Sequence, residues 1–281
     1  MDQASLTHTL AGLPIGLLEY HPQIGSTNDE AARLVQAGCP DLSLIVADEQ
    51  TAGRGRMNRR WFTPPGAALA FSLVLLPHPD WLQADIQANA AIVPRLTALG
   101  ALAVCQVLQD RYDLAAQIKW PNDVLVKQRK LAGVLVETSW EGDQFSAAIL
   151  GIGLNIAPLA VPPVSDLLFP ATSLAGCLTD PLEEVDRLSL LRDILEQILF
   201  WRKNISSVEF MQAWQARLAL RGEWVWIVPA QTQVGLPQAG ASPRGEKYRI
   251  LDLEMDGSLR VESESGVIQR FLSADIHLRP L

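Results

Sequence analysis

Cysteine is scarce in this sequence. Cys39, Cys105 and Cys177 are odd in number, widely spaced and form no C-x-x-C pair. That argues against a disulfide framework or a cysteine zinc site and for a reducing compartment, so a cytoplasmic protein is expected. The histidines, His8, His21, His78 and His277, make no helical or H-x-H pair, so no protein-built metal cage is expected. No basic stretch precedes an apolar run at the N-terminus, as a secretory signal would require. The longest strongly apolar run, 67–76, is about half the length of a membrane span, and no membrane association is expected. Positive charge is also in deficit. Lys+Arg is 23 against 31 Asp+Glu, a net charge of −8. A general nucleic-acid binder would carry a basic footprint, although net charge leaves a local basic site open. Both phosphate-loop fingerprints are incomplete. Gly53-x-Gly55 and Gly151-x-Gly153 each begin a G-x-G-x-x-G without the third glycine, and no G-x-x-x-x-G-K-[ST] occurs.

What remains is a globular composition, 48% apolar and 19% charged over 281 residues. That length accommodates one large domain, or one large domain plus a small one. Residues 1–22 are mixed in character and leave no room for a helix-turn-helix domain. Thr27 and Glu30 form a capping-box pattern and Gly38 a stop, which predicts a helix of about three turns. A buried strand follows at 44–47, a Gly/Arg/Pro loop at 50–66 and a strand at 67–76. Residues 85–109 read as one or two helices broken near Pro94. Strands at 116–120 and 124–127 flank a Pro-Asn-Asp turn. Strands at 132–140 and 144–150 form a hairpin around Glu141-Gly142-Asp143, and 151–155 extends the second. A proline-rich crossing at 157–172 leads to amphipathic helices at 182–203 and 208–220. After Gly222 the pattern becomes short strands, 223–228, 248–254, 258–262 and 267–272, as in a small β-barrel. A Gly/Pro-rich insertion covers 229–245. The domain boundary is placed near 221, giving 1–221 and 222–281.

The strongest local feature is Gln50-Thr-Ala-Gly53-Arg54-Gly55-Arg56-Met-Asn-Arg59-Arg60-Trp61. Between Glu49 and Trp61 stand four arginines and one acid, a local charge of +3 in a chain of −8. Glycines let backbone approach a ligand closely, and guanidinium forks suit phosphate and carboxylate. Such a loop repels itself and is expected to be mobile until an anion arrives. Trp61 beside it is placed to stack on a base. The second feature is Lys119-Trp120-Pro121-Asn122-Asp123, followed by Arg129-Lys130-Leu131-Ala132-Gly133. A lysine fixed just before a buried strand stabilises negative charge developing at phosphorus or carbonyl centres. An ordinary hairpin with a surface lysine is the competing reading. Ser26, Thr27 and Asn28 sit where a helix N-terminus meets polar ligand groups, although capping alone would explain Thr27. Gly153 and Asn155 fit a strand end and turn equally well.

Taken in order, these motifs resemble the biotin–protein ligase family. The resemblance rests on Ser26-Thr-Asn28, the Gly-Arg-Gly-Arg loop with Trp61, Lys119-Trp-Pro-Asn-Asp123, and Arg129-Lys-Leu-Ala-Gly133 with Glu137. Gly151-Ile-Gly-Leu-Asn155, Ala171-Thr-Ser-Leu174 and the small C-terminal β-domain complete it. It covers roughly residues 20–281. It implies an α+β fold, a class II synthetase-like mixed sheet flanked by helices with a small SH3-like β-barrel. It implies ATP-dependent activation of biotin as biotinyl-5′-AMP, then transfer to a lysine of a biotin carboxyl carrier protein, usually that of acetyl-CoA carboxylase.

The resemblance also implies roles. Ser26, Thr27 and Gln50 lie near the biotin ureido group, with Asn28 beside them. Gly53, Arg54, Gly55 and Arg56 form the loop over biotin and adenylate. Lys130 lies at the reacting carboxylate and phosphate, supported by Lys119 and Arg56. Asp123 lies near Mg²⁺ and phosphate or the attacking amine, with Asn122 adjoining. Gly133 and Gly153 belong to the nucleotide site, and Trp61 and Asn155 lie at the adenine. Mg²⁺ arrives with ATP, held mainly by phosphate oxygens. Two departures stand out: Met57-Asn58 where many members have a basic residue and Gly, and the 229–245 insertion. Operator binding is not expected, and a monomer or a homodimer is equally compatible. Two alternatives fit the same motifs: a lipoate or octanoate ligase or transferase of the same fold, and a non-catalytic biotin or nucleotide sensor.

Overall fold

The computed structural model describes residues 1–57, 59–78, 81, 89–163, 170–179, 185–229, 245–272 and 276–280. The expected helix starts at 85 and 182, the middle of the 157–172 crossing, Asn58 and nearly all of the 229–245 insertion lie outside them.

Seven strands make the main sheet: β1 (Leu18–His21), β2 (Leu44–Ala47), β3 (Ala68–Leu75), β4 (Ala116–Lys119), β5 (Asp123–Val126), β6 (Arg129–Glu141) and β7 (Gln144–Asn155). Their spatial order is β1-β2-β3-β7-β6-β5-β4. β1 and β2 are parallel and the other neighbours antiparallel, so the sheet is mixed as expected. Among the described residues the α-helices are α1 (Gln3–Thr9), α2 (Thr27–Gln36), α3 (Asn89–Tyr112), α4 (Arg187–Lys203) and α5 (Val208–Ala216).

The period-2 alternation of side chains assigns the helices to faces. Ile45, Val74 and Ile149 share a small core with Ala31 and Leu34 of α2. Their strand neighbours Leu44, Val46, Leu73, Leu75 and Leu150 join the large core with α3 and α4. α2 therefore covers one face and α3 the other. β3 is buried along its whole length because both faces are covered. Residues 92–112 of α3 are apolar and long enough to cross a membrane, a feature the 67–76 run does not anticipate. Most of that segment is buried inside the protein, so its apolarity belongs to the core.

Several local expectations are corrected by tertiary contacts. Residues 1–22 hold α1, capped by Asp2, which accepts from Ser5 N at 2.8 Å, and then β1. The helix α3 runs on through Pro94. Next to it, Arg95 Nη2 donates to Met255 O at 2.6 Å. α5 ends at Ala216, four residues early, because the following chain pairs with β4: Ile118 N donates to Arg217 O and Ala219 N to Ile118 O.

A second, antiparallel sheet contains β8 (Trp224–Pro229), β9 (Glu246–Leu253), β10 (Leu259–Ser263), β11 (Ile268–Phe271) and β12 (Ile276–Pro280), in the order β11-β10-β9-β8-β12. It is consistent with the expected SH3-like unit, with β12 as a strand the sequence pattern missed. Its β9–β10 turn abuts the main domain. Trp120 Nε1 donates to Gly257 O at 3.0 Å, and a Cβ on Gly257 would come within 2.9 Å of both Pro94 and Trp214.

One turn carries strain next to the motif residues. β5 and β6 are joined by Lys127 and Gln128, whose φ values are +48° and +58°. Two-residue hairpins need positive φ at both positions and favour Asn-Gly there. Gln128→Gly is expected to stabilise the protein by about 0.5–1 kcal/mol, because relief of the left-handed penalty outweighs the entropy glycine adds to the unfolded chain. A urea unfolding curve with an unchanged slope and a higher midpoint would confirm it, and a lower midpoint would refute it.

Candidate functional site

The cleft forms where the α2-side face of the sheet is left uncovered by α2. Its floor carries Gly133 on β6 and Gly151 and Gly153 on β7, and Gly133 pairs with Gly153 across the strands. Glycine in a strand interior marks close approach of another group, and here that group is identifiable. A Cβ on Gly151 would lie 2.2 Å from Asn28 Oδ1, and one on Gly153 would lie 2.3 Å from the Trp61 indole. Trp61 therefore lies directly on the floor. The cleft encloses about 890 Å³ including its open mouth.

One end of the cleft is a buried polar network. The expected capping box is not formed: Ser26 occupies the cap position and Thr27 is the first helical residue. Glu30 instead receives Arg33 Nε at 2.7 Å. Thr27 turns inward, where its N–H donates to Gln50 Oε1 at 2.9 Å and its hydroxyl to the same oxygen at 3.2 Å. Gln50 Nε2 donates to Thr63 Oγ1 at 3.1 Å, which fixes the amide orientation. Ser72 Oγ donates to Thr27 Oγ1 (2.7 Å) or Asn28 Oδ1 (2.6 Å). These groups are buried, as Ser26, Thr27, Asn28, Gln50 and Ser72 are each at most 9% exposed. A ligand entering here would meet oriented donors and acceptors rather than water.

The Gly-Arg loop crosses the cleft as a small hairpin. Gly55 N donates to Arg59 O at 2.7 Å and Trp61 N to Gly53 O at 2.8 Å. A Cβ on Gly53 would lie 2.5 Å from Trp61 O, which accounts for a glycine there. The arginines find distant partners that the local charge count does not anticipate. Arg54 Nη2 lies 2.7 Å from Asp29 Oδ1 and 2.8 Å from Glu137 Oε2. Arg56 Nη1 donates to Asn122 Oδ1 at 3.4 Å. Burial lowers the Arg56 pKa, Asp123 opposes that, and Arg59 adds to it. The guanidinium remains charged.

At the far end stands an ion cluster. Lys130 Nζ lies 2.6 Å from Asp123 Oδ1, and Lys119 Nζ lies 3.9 Å from Asp123 Oδ2. Burial alone would raise the Asp123 carboxyl, but Lys130, Lys119 and Arg56 together hold it below the usual carboxylate range. Lys130 Nζ also lies 5.4 Å from the Trp61 ring centroid, a cation–π distance. The Lys130 backbone is clamped by the 170–172 segment, donating to Pro170 O at 2.7 Å and accepting from Thr172 N at 2.9 Å. Asn122 is equally fixed, donating through Nδ2 to Val134 O at 3.0 Å.

The fold thus brings fourteen expected residues to one cleft: Ser26, Thr27, Asn28, Gln50, Arg54, Gly55, Arg56, Trp61, Lys119, Asn122, Asp123, Lys130, Gly133 and Gly153. Gly53 and Asn155 do not line it. Gly53 shapes the loop, and Asn155 Nδ2 donates to Thr172 O at 3.0 Å, supporting the segment that clamps Lys130. Arg59, Arg60, Trp120 and Ile152 line the cleft without having been singled out as binding residues. Ser72 was missed altogether, although a lone hydroxyl within the apolar strand β3 is a readable signal. Charge is concentrated here. Arg54, Arg56, Arg59, Arg60, Lys119 and Lys130 face a single carboxylate, Asp123, among the described lining residues.

Comparison with known proteins accords with this geometry. Residues 20–155 match the model of the Biotin/lipoate A/B protein ligase family. The bifunctional ligase/repressor BirA of Bacillus subtilis is 32% identical over 262 residues, which is 93% of this chain and 74% of that protein. The biotin–[acetyl-CoA-carboxylase] ligase of Paracoccus denitrificans is 35% identical over 212 residues, 70% of this chain and 79% of that protein. The chain belongs to the biotin–protein ligase family. Its fold agrees: the biotin protein ligase of Aquifex aeolicus, solved with biotin and ATP, superposes with a TM-score of 0.72 at 26% identity, covering 94% of this chain and 99% of that one. The likeness to that biotin–protein ligase extends over nearly the whole of both chains.

Proposed function

We propose that this protein is an ATP-dependent biotin–protein ligase, forming biotinyl-5′-AMP and passing biotin to a lysine of a biotin carboxyl carrier protein. The observation that carries the reading is the cleft itself, lined by six cations and one carboxylate among the described residues, with a buried polar network at one end. We assign the catalytic cleft to residues 1–221 and a supporting β-domain to 222–281.

In the first step an oxygen of the biotin carboxylate attacks the α-phosphorus of ATP, and pyrophosphate leaves. Carboxylate and triphosphate repel each other, so the barrier falls with fixed positive charge around them. Lys130, Arg56 and Lys119 supply that charge, and Arg54 extends it along the loop. Thr27 and Gln50, with Ser26 and Asn28, offer the donors and acceptors that a ureido ring requires. Trp61 on its glycine floor offers a face for adenine, and Asn155 supports the site through Thr172. In the second step the ε-amine of the acceptor lysine attacks the carbonyl carbon of the mixed anhydride, AMP leaves, and the amine loses a proton. Asp123, held below the ordinary carboxylate range, is a poor proton acceptor. Its role is to orient Lys130 and to attract the incoming amine. The site suits Mg²⁺ delivered by ATP: Asp123 is the one lining carboxylate among the described residues, so phosphate oxygens would carry most of the coordination, and the ion would further neutralise phosphate charge.

The acidic net charge of −8 fits a cytoplasmic enzyme acting on a protein carrier rather than on nucleic acid or membrane. The test is transfer. Incubation with biotin, MgATP and an isolated biotin-carrier domain is expected to shift the carrier mass by one biotin. Tight biotin binding without any shift would favour the non-catalytic sensor.

A further inference from the structure

We infer that Glu137 is a positioning residue that, with Asp29, latches the Gly-Arg loop over the cleft through Arg54. The inference takes the proposed ligase site as its setting, but its first test does not depend on the ligand.

Three segments distant in sequence meet at one carboxylate oxygen. Glu137 Oε2 accepts from Asn28 Nδ2 at 2.6 Å and from Arg54 Nη2 at 2.8 Å. Asp29, the next residue on α2, holds the same Arg54 nitrogen at 2.7 Å. Asn28 is itself fixed, since Ser72 Oγ lies 2.6 Å from its Oδ1 and Gly151 leaves it no room to retreat. Glu137 projects from the cleft face of β6, two register steps from Gly133, yet it does not line the cleft. It is therefore placed to act on the loop rather than on reacting atoms.

Arg54 is the point at which the loop can be held. It bridges to Arg60 across the small hairpin, and its neighbour Gly53 accepts from Trp61 N. Holding Arg54 thus holds the hairpin closed and Trp61 on its floor. The loop carries four arginines within seven residues and repels itself. Two carboxylates on Arg54 offset part of that repulsion. A single exposed ion pair contributes little, but here one guanidinium joins two carboxylates carried on α2 and β6, and Asn28 already holds the Glu137 carboxylate, so less further ordering is needed.

The experiment compares wild type, Glu137→Gln and Asp29→Asn. Glutamine keeps the shape at position 137 and can still accept from Asn28, but it removes the charge facing Arg54. Trypsin cleavage after Arg54, Arg56, Arg59 or Arg60 in ligand-free protein reads the open population of the loop. Cleavage is expected to rise about fivefold in Glu137→Gln, and by less in Asp29→Asn, with the thermal midpoint nearly unchanged. The KM for biotin is expected to rise by a smaller factor, because binding competence follows the closed fraction, which falls by less than the open fraction rises, while kcat stays within about twofold. In Arg54→Met, adding Glu137→Gln is expected to have no further effect. Wild-type cleavage rates in Glu137→Gln, or additive effects in the double variant, would overturn the latch. Faster cleavage in a protein that fails to bind biotin would leave the latch standing and remove the ligase reading instead.

Discussion

Lys130→Ala is expected to slow biotin-dependent exchange of pyrophosphate into ATP by about 100–1000-fold. Loss of one preorganised donor to developing charge typically costs about that much. Lys130 is the best placed such donor, because the 170–172 segment clamps its backbone and Asp123 holds its ammonium at 2.6 Å. The same change removes the largest favourable influence on Asp123. In the wild type the folded carboxyl is held low, so its contribution to stability is present above the unfolded pKa and is lost as pH falls through the lower folded pKa. Without Lys130 the pKa moves up toward the value that burial favours, with Lys119 and Arg56 still opposing it. Acid unfolding of Lys130→Ala is therefore expected to begin at a higher pH than in the wild type. Activity should be compared near pH 8, where the variant is most nearly native. An exchange rate within threefold of wild type there would remove Lys130 from the reaction.

Gly153→Ala is expected to have the next largest effect, raising the KM for ATP by roughly 10–100-fold, the scale of one lost aromatic–base stack. A single methyl at this position would stand 2.3 Å from Trp61 Nε1, so the indole must leave the floor. The strand itself tolerates alanine, so far-ultraviolet circular dichroism should stay native. The mechanism has a specific signature: in Trp61→Ala the clash disappears, and adding Gly153→Ala should then cost nothing more. Independent, multiplying losses would show that Gly153 acts in some other way.

The elements that could be read from the sequence are those whose signal is local. β2 falls at 44–47 as its apolar run indicates, and the β6–β7 hairpin turns at Gly142, which has φ +61°. Gly38, at φ +76°, ends the α2 segment as expected. The misreadings have a common physical origin in contacts from far along the chain. Thr27 has the sequence of a cap, yet Gln50 and Ser72 draw it into the cleft. α5 carries a helical pattern to 220, but β4 captures residues 217–219. Pro94 reads as a break, yet the helix persists and Pro94 packs at the C-terminal turn. The site was legible as ordered motifs, but its assembly was not. No local pattern reveals that Glu137 and Asp29 meet Arg54, or that Gly153 is small because Trp61 lies on it. The acidic net charge of −8 and the cationic cleft become compatible only when the fold gathers six basic side chains in one place.

The most direct test of the account is pyrophosphate exchange into ATP with biotin and with lipoate as competing acids. The buried network around Thr27 and Gln50 presents oriented hydrogen-bonding groups that a ligand without a ureido ring cannot engage, so discrimination should reach at least ~100-fold. Exchange is expected with biotin, and little above background with lipoate. Exchange supported by lipoate and not by biotin would contradict the account.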